Sequence, residues 1–115
     1  MKKGKNLLKI IEEMRKFDSQ LEAQAIAVFF YVGVYGGKEG IKMQTIADET
    51  GIAQSSISRN ANKLSEINRQ KRTGIGLLQI FPDPIERRRR LVRLTAKGRR
   101  VYNTLLDYIL NQHLE

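Results

Sequence analysis

Cysteine is absent from this chain of 115 residues, which excludes disulfides, thiolate nucleophiles and cysteine-based redox sensing. Histidine occurs once, at His113, two residues from the end, and carries no functional weight there. No phosphate-binding glycine loop and no paired spacing of metal ligands is present, so neither an enzyme nor a bound cofactor or metal is expected. Carboxylates such as Asp48 and Glu49 belong to a short helix rather than to an acid–base pair. No apolar run approaches the ~20 residues that a membrane-spanning helix needs. The basic start "MKKGKNLLKIIEEMRKF" meets acidic residues within a few positions, against a secretory signal. Proline occurs only at Pro82 and Pro84.

What the chain does have is positive charge in one place. It is 41% hydrophobic and 29% charged, the balance of a globular protein, with a net charge of +9. Residues 54–100 hold thirteen basic and three acidic side chains, while residues 101–115 have no lysine or arginine. Essentially the whole excess lies in that one segment. A segregated basic field suits a polyanion, although an acidic protein or an anionic surface would also be drawn to it.

Apolar spacing organises the chain into one domain, residues 1–115. Leu7, Ile10, Ile11, Met14 and Phe17 recur at helical intervals. Ser19 is positioned to cap the next helix, with Glu22 as its capping-box partner. That helix is apolar nearly all round from Ala25 to Tyr35, as expected of the buried centre of a bundle. Its Phe29, Phe30 and Tyr31 are better explained as core than as a ligand pocket. "GGKEG" ends it.

Thr45, Ile46 and Ala47 begin a short helix that stops at Gly51, and another runs from Gln54 to about Ile67. Two short helices meeting at a tight turn with a glycine make a helix-turn-helix. Ile57, Ala61 and Leu64 form the buried stripe of the second. At about 100° per residue, Ser55, Arg59 and Asn62 point outward, flanked by Ser56, Ser58 and Lys63. This face is small, polar and basic, and arginine and asparagine are well shaped to read guanine and adenine edges.

"NRQKRTGIG" is a basic loop carrying Arg69, Lys71 and Arg72. "LLQIF" (77–81) and "RRRLVRL" (88–94) read as strands joined by "PDPIE", and Thr95 caps a helix from Ala96 to about Gln112. Val101, Leu105, Tyr108 and Ile109 form one stripe of that helix. Tyr102, Leu106 and Leu110 form a second, adjacent one; two stripes exceed what a single small core needs, so one of them is expected to face another subunit. The expected fold is mainly α with a small β-hairpin, a winged helix-turn-helix in the order α-α-α-α-β-β-α.

Residues 43–98 resemble the MarR family of winged-helix transcriptional regulators. The resemblance rests on "TIADETGIAQSSISRNANKL" and on "GLLQIFPDPIERRRRLVRLTAKGR". Asp83, Pro84, Glu86, Arg87, Arg88, Leu94, Thr95 and Gly98 fall at the family's wing spacing, with Glu86 where an aspartate is usual. The link from Leu64 to Gly76 is longer than usual.

The resemblance implies a sequence-specific regulator that binds double-stranded DNA. Residues 41–98 would form the DNA-binding core, and residues 1–18 and 99–115 the helices of a homodimer. Gln54, Ser55, Ser56, Ser58, Arg59, Asn62 and Lys63 would meet the major groove. Arg69, Lys71, Arg72, Arg89 and Arg90 would add contacts, and Arg87, then Arg88, would enter the minor groove. Asp83 or Glu86 would orient a wing arginine by an ion pair. It also implies a cytoplasmic, nucleoid-associated protein and a small, often phenolic, effector, which the sequence itself does not require. Two further readings fit the same charge: a protein-interaction module with an acidic partner, and a sequence-independent architectural or replication accessory protein.

Overall fold

The apolar run at residues 25–35 becomes a central helix, which packs on the helices at 54–64 and 96–110 and on the strand at 90–94. The structure is a computed structural model that describes residues 2–66 and 73–110. In chain order the elements are α1 (Lys2–Arg15), α2 (Ala23–Tyr35), β1 (Ile41–Lys42), α3 (Met43–Thr50), α4 (Gln54–Leu64), β2 (Leu78–Pro82), β3 (Arg90–Leu94) and α5 (Ala96–Leu110). Among the described residues these are five helices and one three-stranded antiparallel sheet, a winged helix-turn-helix. No helix among them is long and apolar enough to cross a membrane.

α2 buries Ala25, Val28, Phe29 and Val32, the i, i+3, i+4, i+7 stripe of one helix face. It is not buried all round: Val34 and Tyr35 remain exposed. Phe29 is fully enclosed and stands edge-on to Phe30 and Tyr102, at centroid distances of 5.6 and 6.2 Å. Burying such a side chain contributes about 2–3 kcal/mol. The aromatic run is therefore core.

The expected Ser19 cap does not form. Asp18 takes the local role, accepting the Gln20 N–H at 2.9 Å, and α2 starts one turn later, on the Glu22 carbonyl. An Asx turn satisfies the backbone at the position where the capping box would have begun.

The helix-turn-helix forms where the spacing placed it. α3 ends on Gly51, whose φ of 76° is the left-handed conformation that stops a helix, and whose N–H bonds the Ala47 carbonyl. α4 then packs Ile57, Ala61 and Leu64, all fully buried, against α2. It also buries Asn60, whose Nδ2 donates to the Ser56 carbonyl at 2.9 Å. The expected end near Ile67 lies outside the described residues; α4 itself closes at Leu64.

The sheet has the order β1-β3-β2, so β3 is central and β2 is an edge. β2 pairs Leu78 with Leu94 and Ile80 with Val92. β1 pairs Ile41 with Val92 and was not expected from the sequence. At two residues it has no alternation to detect. Pro82, the last residue of β2, lies on that edge strand, where a missing N–H is tolerated.

α5 begins as expected, on Thr95. The Thr95 hydroxyl accepts the Gly98 N–H at 2.9 Å and donates to the Gly76 carbonyl at 2.6 Å. Gly98 is buried against Leu77, the residue before β2, and a Cβ there would overlap the Leu77 carbonyl oxygen. The Leu-Thr-x-x-Gly pattern thus joins the sheet to α5 by a cap and a close approach. α5 buries Tyr102 and Leu105 and packs on α1, which buries Ile10 and Met14. Leu7, Leu8 and Ile11 of α1, with Ile109 and Leu110 of α5, stay exposed.

Candidate nucleic-acid interface

The wing tip is a closed, hydrogen-bonded turn. Beyond the last ladder pair, Pro82 with Arg90, the Asp83 N–H donates to the Arg89 carbonyl at 2.9 Å. The Arg89 N–H donates to the Glu86 carbonyl at 2.9 Å. Asp83 is buried, and its carboxylate accepts the Ile85 N–H at 2.9 Å. That is an Asx turn.

The expected pairing of Asp83 or Glu86 with a wing arginine is not seen among the described residues. The Asp83 carboxylate is turned into its own loop. Arg87, Arg88, Arg89 and Arg90 all stand exposed.

Arg93, three residues beyond the run in β3, has a different task. Its guanidinium lies 4.4 Å from the Phe81 ring centroid, bonds Gln79 Oε1 at 2.9 Å through Nε, and bonds the Lys38 carbonyl at 2.9 Å through Nη1. It stacks on one strand and ties the sheet to the α2–β1 loop. Gln79 is its cross-strand partner, so register explains the contact.

Two clefts flank α4. The first, of about 600 Å³, lies between α3, α4 and the wing. Gln54 and Ser58 of α4, Arg88, Arg89 and Arg90 of the wing, and Lys42, Gln44 and Thr45 around the start of α3 line it. The fold therefore brings one edge of the helix and three of the arginines to a common cationic opening. Lys42, Gln44 and Thr45 were not among the expected site residues. Their only signal is position, since they surround the start of the first helix of the motif.

The second cleft, of about 790 Å³, lies on the other flank of α4. Arg59, Asn62 and Lys63 meet Lys16, Phe17 and Lys97 there. The Arg59 guanidinium pairs with Glu22, the residue that opens α2, at 3.3 Å; the two side chains are 57% and 48% exposed. Asn62 folds back, donating to the Ser58 carbonyl at 2.8 Å. Lys97 donates to the Ile75 carbonyl at 2.8 Å and lies over Phe17. The Lys16 pKa is raised by its hydrogen bond to Glu13.

The outward face of α4 thus divides. Gln54 and Ser58 turn toward the wing, Arg59 and Lys63 lean away from it, and Ser55 is exposed. Ser56 is half-buried. No side chain caps the first turn of α4, so its N–H groups add the positive end of the helix dipole to this surface. Arg69, Lys71 and Arg72 lie outside the described residues. No group of three or more metal-ligating side chains occurs among the described residues.

No protein-family model and no curated protein matches the chain. Solved structures do. A mutant of MepR from a multidrug-resistant S. aureus clinical isolate superposes with a TM-score of 0.69 at 17% identity, over 92% of this chain and 68% of that one. A MarR-family transcriptional regulator from Rhodococcus sp. RHA1 gives 0.63 at 22% identity, over 96% and 69%. CouR from Rhodococcus jostii RHA1, bound to p-coumaroyl-CoA, gives 0.62 at 22% identity, over 96% and 69%. At these identities the likeness establishes the fold, which is that of the MarR-family winged-helix regulators.

Proposed function

We propose that this chain, with the fold of MarR-family regulators, is a sequence-specific, double-stranded-DNA-binding transcriptional regulator and not an enzyme. α4 would enter the major groove and the arginine wing the adjacent minor groove. The observation that carries this reading is the shared cationic cleft, where Gln54 and Ser58 of α4 face Arg88, Arg89 and Arg90 of the wing. A helix edge and a basic hairpin aimed at one opening can follow two neighbouring grooves of a duplex. The phosphates between them would lie against the arginines. Ser55, Arg59, Asn62 and Lys63 extend the contact along α4, and Arg87 reaches past the cleft as the groove-entering arginine. Arg69, Lys71 and Arg72 supply further positive charge.

The exposed apolar side chains of α1 and α5 support a homodimer through the terminal helices. Leu7, Leu8, Ile11, Ile109 and Leu110 are large and uncovered, and α1 and α5 already pack together. A second copy would remove them from water. The CouR complex with p-coumaroyl-CoA supports a small-molecule effector as part of this reading. A cytoplasmic, nucleoid-associated location follows from the same function.

Selection of bound sequences from a random duplex pool, followed by titration of the winners against salt, tests the proposal. A preferred duplex whose affinity falls steeply with salt is the expected result. Equal affinity for all duplexes points to an architectural role instead. No binding at low salt refutes the DNA reading and favours an acidic protein partner.

A further inference from the structure

Ile85 is the most exposed large apolar side chain among the described residues, at 96%. An exposed apolar residue standing alone is ordinary on a protein surface. This one differs in where it stands and in how it is held. It sits at the apex of the wing, immediately before Glu86 and the four arginines, 87 to 90. Its N–H is fixed by the buried Asp83 carboxylate at 2.9 Å, and the turn is closed again by the bonds between Asp83 and Arg89 and between Arg89 and Glu86. A tip that only reverses the chain is served by glycine, asparagine, aspartate or serine. Here a stiff, β-branched side chain with no polar atom is presented on a braced backbone.

We infer that Ile85 is a specificity-determining contact of the wing, packing into the minor groove of A·T pairs next to a wing arginine. This rests on the DNA-binding reading above and goes beyond it. The partner must offer negative charge to the arginines and an apolar surface to Ile85 within one narrow feature. A minor groove does both: phosphates line its edges, and sugar carbons form its walls. Its floor carries only acceptors at A·T pairs, whereas G·C pairs add the guanine N2 amino donor. An isoleucine pressed over that donor leaves it desolvated and unpaired, which is costly. The side chain therefore discriminates by what it cannot bond. Architectural DNA-binding proteins also place apolar side chains in the minor groove, there as wedges between base steps.

The test uses the preferred duplex with the wing-contacted pairs set to A·T, to G·C, or to inosine·cytosine, which removes the N2 amino group. Binding is read by fluorescence anisotropy at several salt concentrations. The wild type should hold the A·T and inosine·cytosine duplexes alike and the G·C duplex about tenfold more weakly, the scale of leaving one donor desolvated and unpaired. Ile85→Ser should lose most of that ratio and Ile85→Leu should keep it. Both should leave the salt slope unchanged, because no charge is altered, while Arg87→Ala lowers the slope by about one. Ile85 packs against no core residue, so all variants should melt with the wild type. A preferred duplex whose A·T to G·C ratio survives Ile85→Ser overturns this inference alone. A wild type with no preferred duplex overturns the regulator reading and this inference with it.

Discussion

Thr95→Val should destabilise the fold by about 2–3 kcal/mol, more than the loss of a cap alone. Valine keeps the shape and the β-branch, so packing and χ1 preference are nearly conserved and the hydroxyl is the variable. That hydroxyl makes two bonds. It accepts the Gly98 N–H at 2.9 Å, the N-cap interaction, worth ~1 kcal/mol. It also donates to the Gly76 carbonyl at 2.6 Å, across the entrance to β2. Gly98 is buried against Leu77, so water cannot take over its N–H, and an unsatisfied buried group costs ~1–3 kcal/mol.

For a chain of this size each kilocalorie lowers Tm by roughly 4 °C, so the melting temperature should fall by about 8–12 °C. Thermal unfolding by circular dichroism reads it directly, and a urea titration should show a lower midpoint with an unchanged slope. Thr95→Ser keeps both hydrogen bonds and should lose less than ~1 kcal/mol, for the methyl group. A Tm within ~2 °C of wild type for the valine variant, or a serine variant as unstable as the valine one, would refute the double-bond account.

Gly98→Ala should be about as damaging as Thr95→Val. The added Cβ overlaps backbone, the Leu77 carbonyl oxygen, so α5 must shift off the sheet, and overpacking of this kind costs ~1–3 kcal/mol or more; thermal melts beside Gly4→Ala, which meets nothing, give the comparison. Asp83→Asn should keep DNA affinity within about twofold, because its amide oxygen can still accept the Ile85 N–H, whereas Asp83→Ala should weaken binding several-fold; equal loss in both would restore the ion-pair role. Glu22→Gln should change stability by less than ~0.5 kcal/mol, since the Arg59 pair is exposed, yet strengthen duplex binding about two- to fivefold by freeing Arg59 and removing a nearby negative charge. Arg87→Ala should weaken binding most on duplexes with A·T-rich flanks at the wing, where the narrow groove concentrates negative potential; indifference to the flanks would remove Arg87 from the minor groove.

The elements whose evidence is periodic were legible in the sequence. Ile57, Ala61 and Leu64 marked the buried side of α4, Gly51 marked the turn, and Thr95 marked the start of α5, because each signal is local. The misreadings are of two kinds. Some are competitions between equally local options: Asp18 formed its own turn where Ser19 had been expected to cap a helix. Others depend on contacts between distant residues. β1 exists because Ile41 meets Val92, fifty-one positions away in the chain. Arg59 is drawn aside by Glu22, thirty-seven positions before it. Helical periodicity placed Arg59 correctly on the outward face, but it could not show which neighbour that face would lean toward. The same limit applied at Asp83, where an acid among arginines suggested a pair. The carboxylate instead satisfied a backbone donor two residues on.

The arginine run therefore resolves into parts with different mechanical roles. Arg93 is anchored at three points, to Phe81, Gln79 and the Lys38 carbonyl, and it fixes β3 against the body of the protein. Arg90 stands opposite Pro82 at the last ladder pair, and beyond it the Asp83 turn braces the tip. Between those two braces Arg87, Arg88 and Arg89 extend into solvent from a backbone with little freedom. That arrangement matters energetically, because ordering a loop on binding costs ~0.5–1.5 kcal/mol for each immobilised side chain, before any backbone contribution. A wing already closed by its own hydrogen bonds needs to order only the arginine side chains. Its position relative to α4 is set by the same β3 strand that pairs with β1 and leads through Thr95 into α5. Helix and wing should consequently meet a duplex as one body, and substitutions at the braces should lower affinity on every sequence, while substitutions at the tip should change which sequence is preferred.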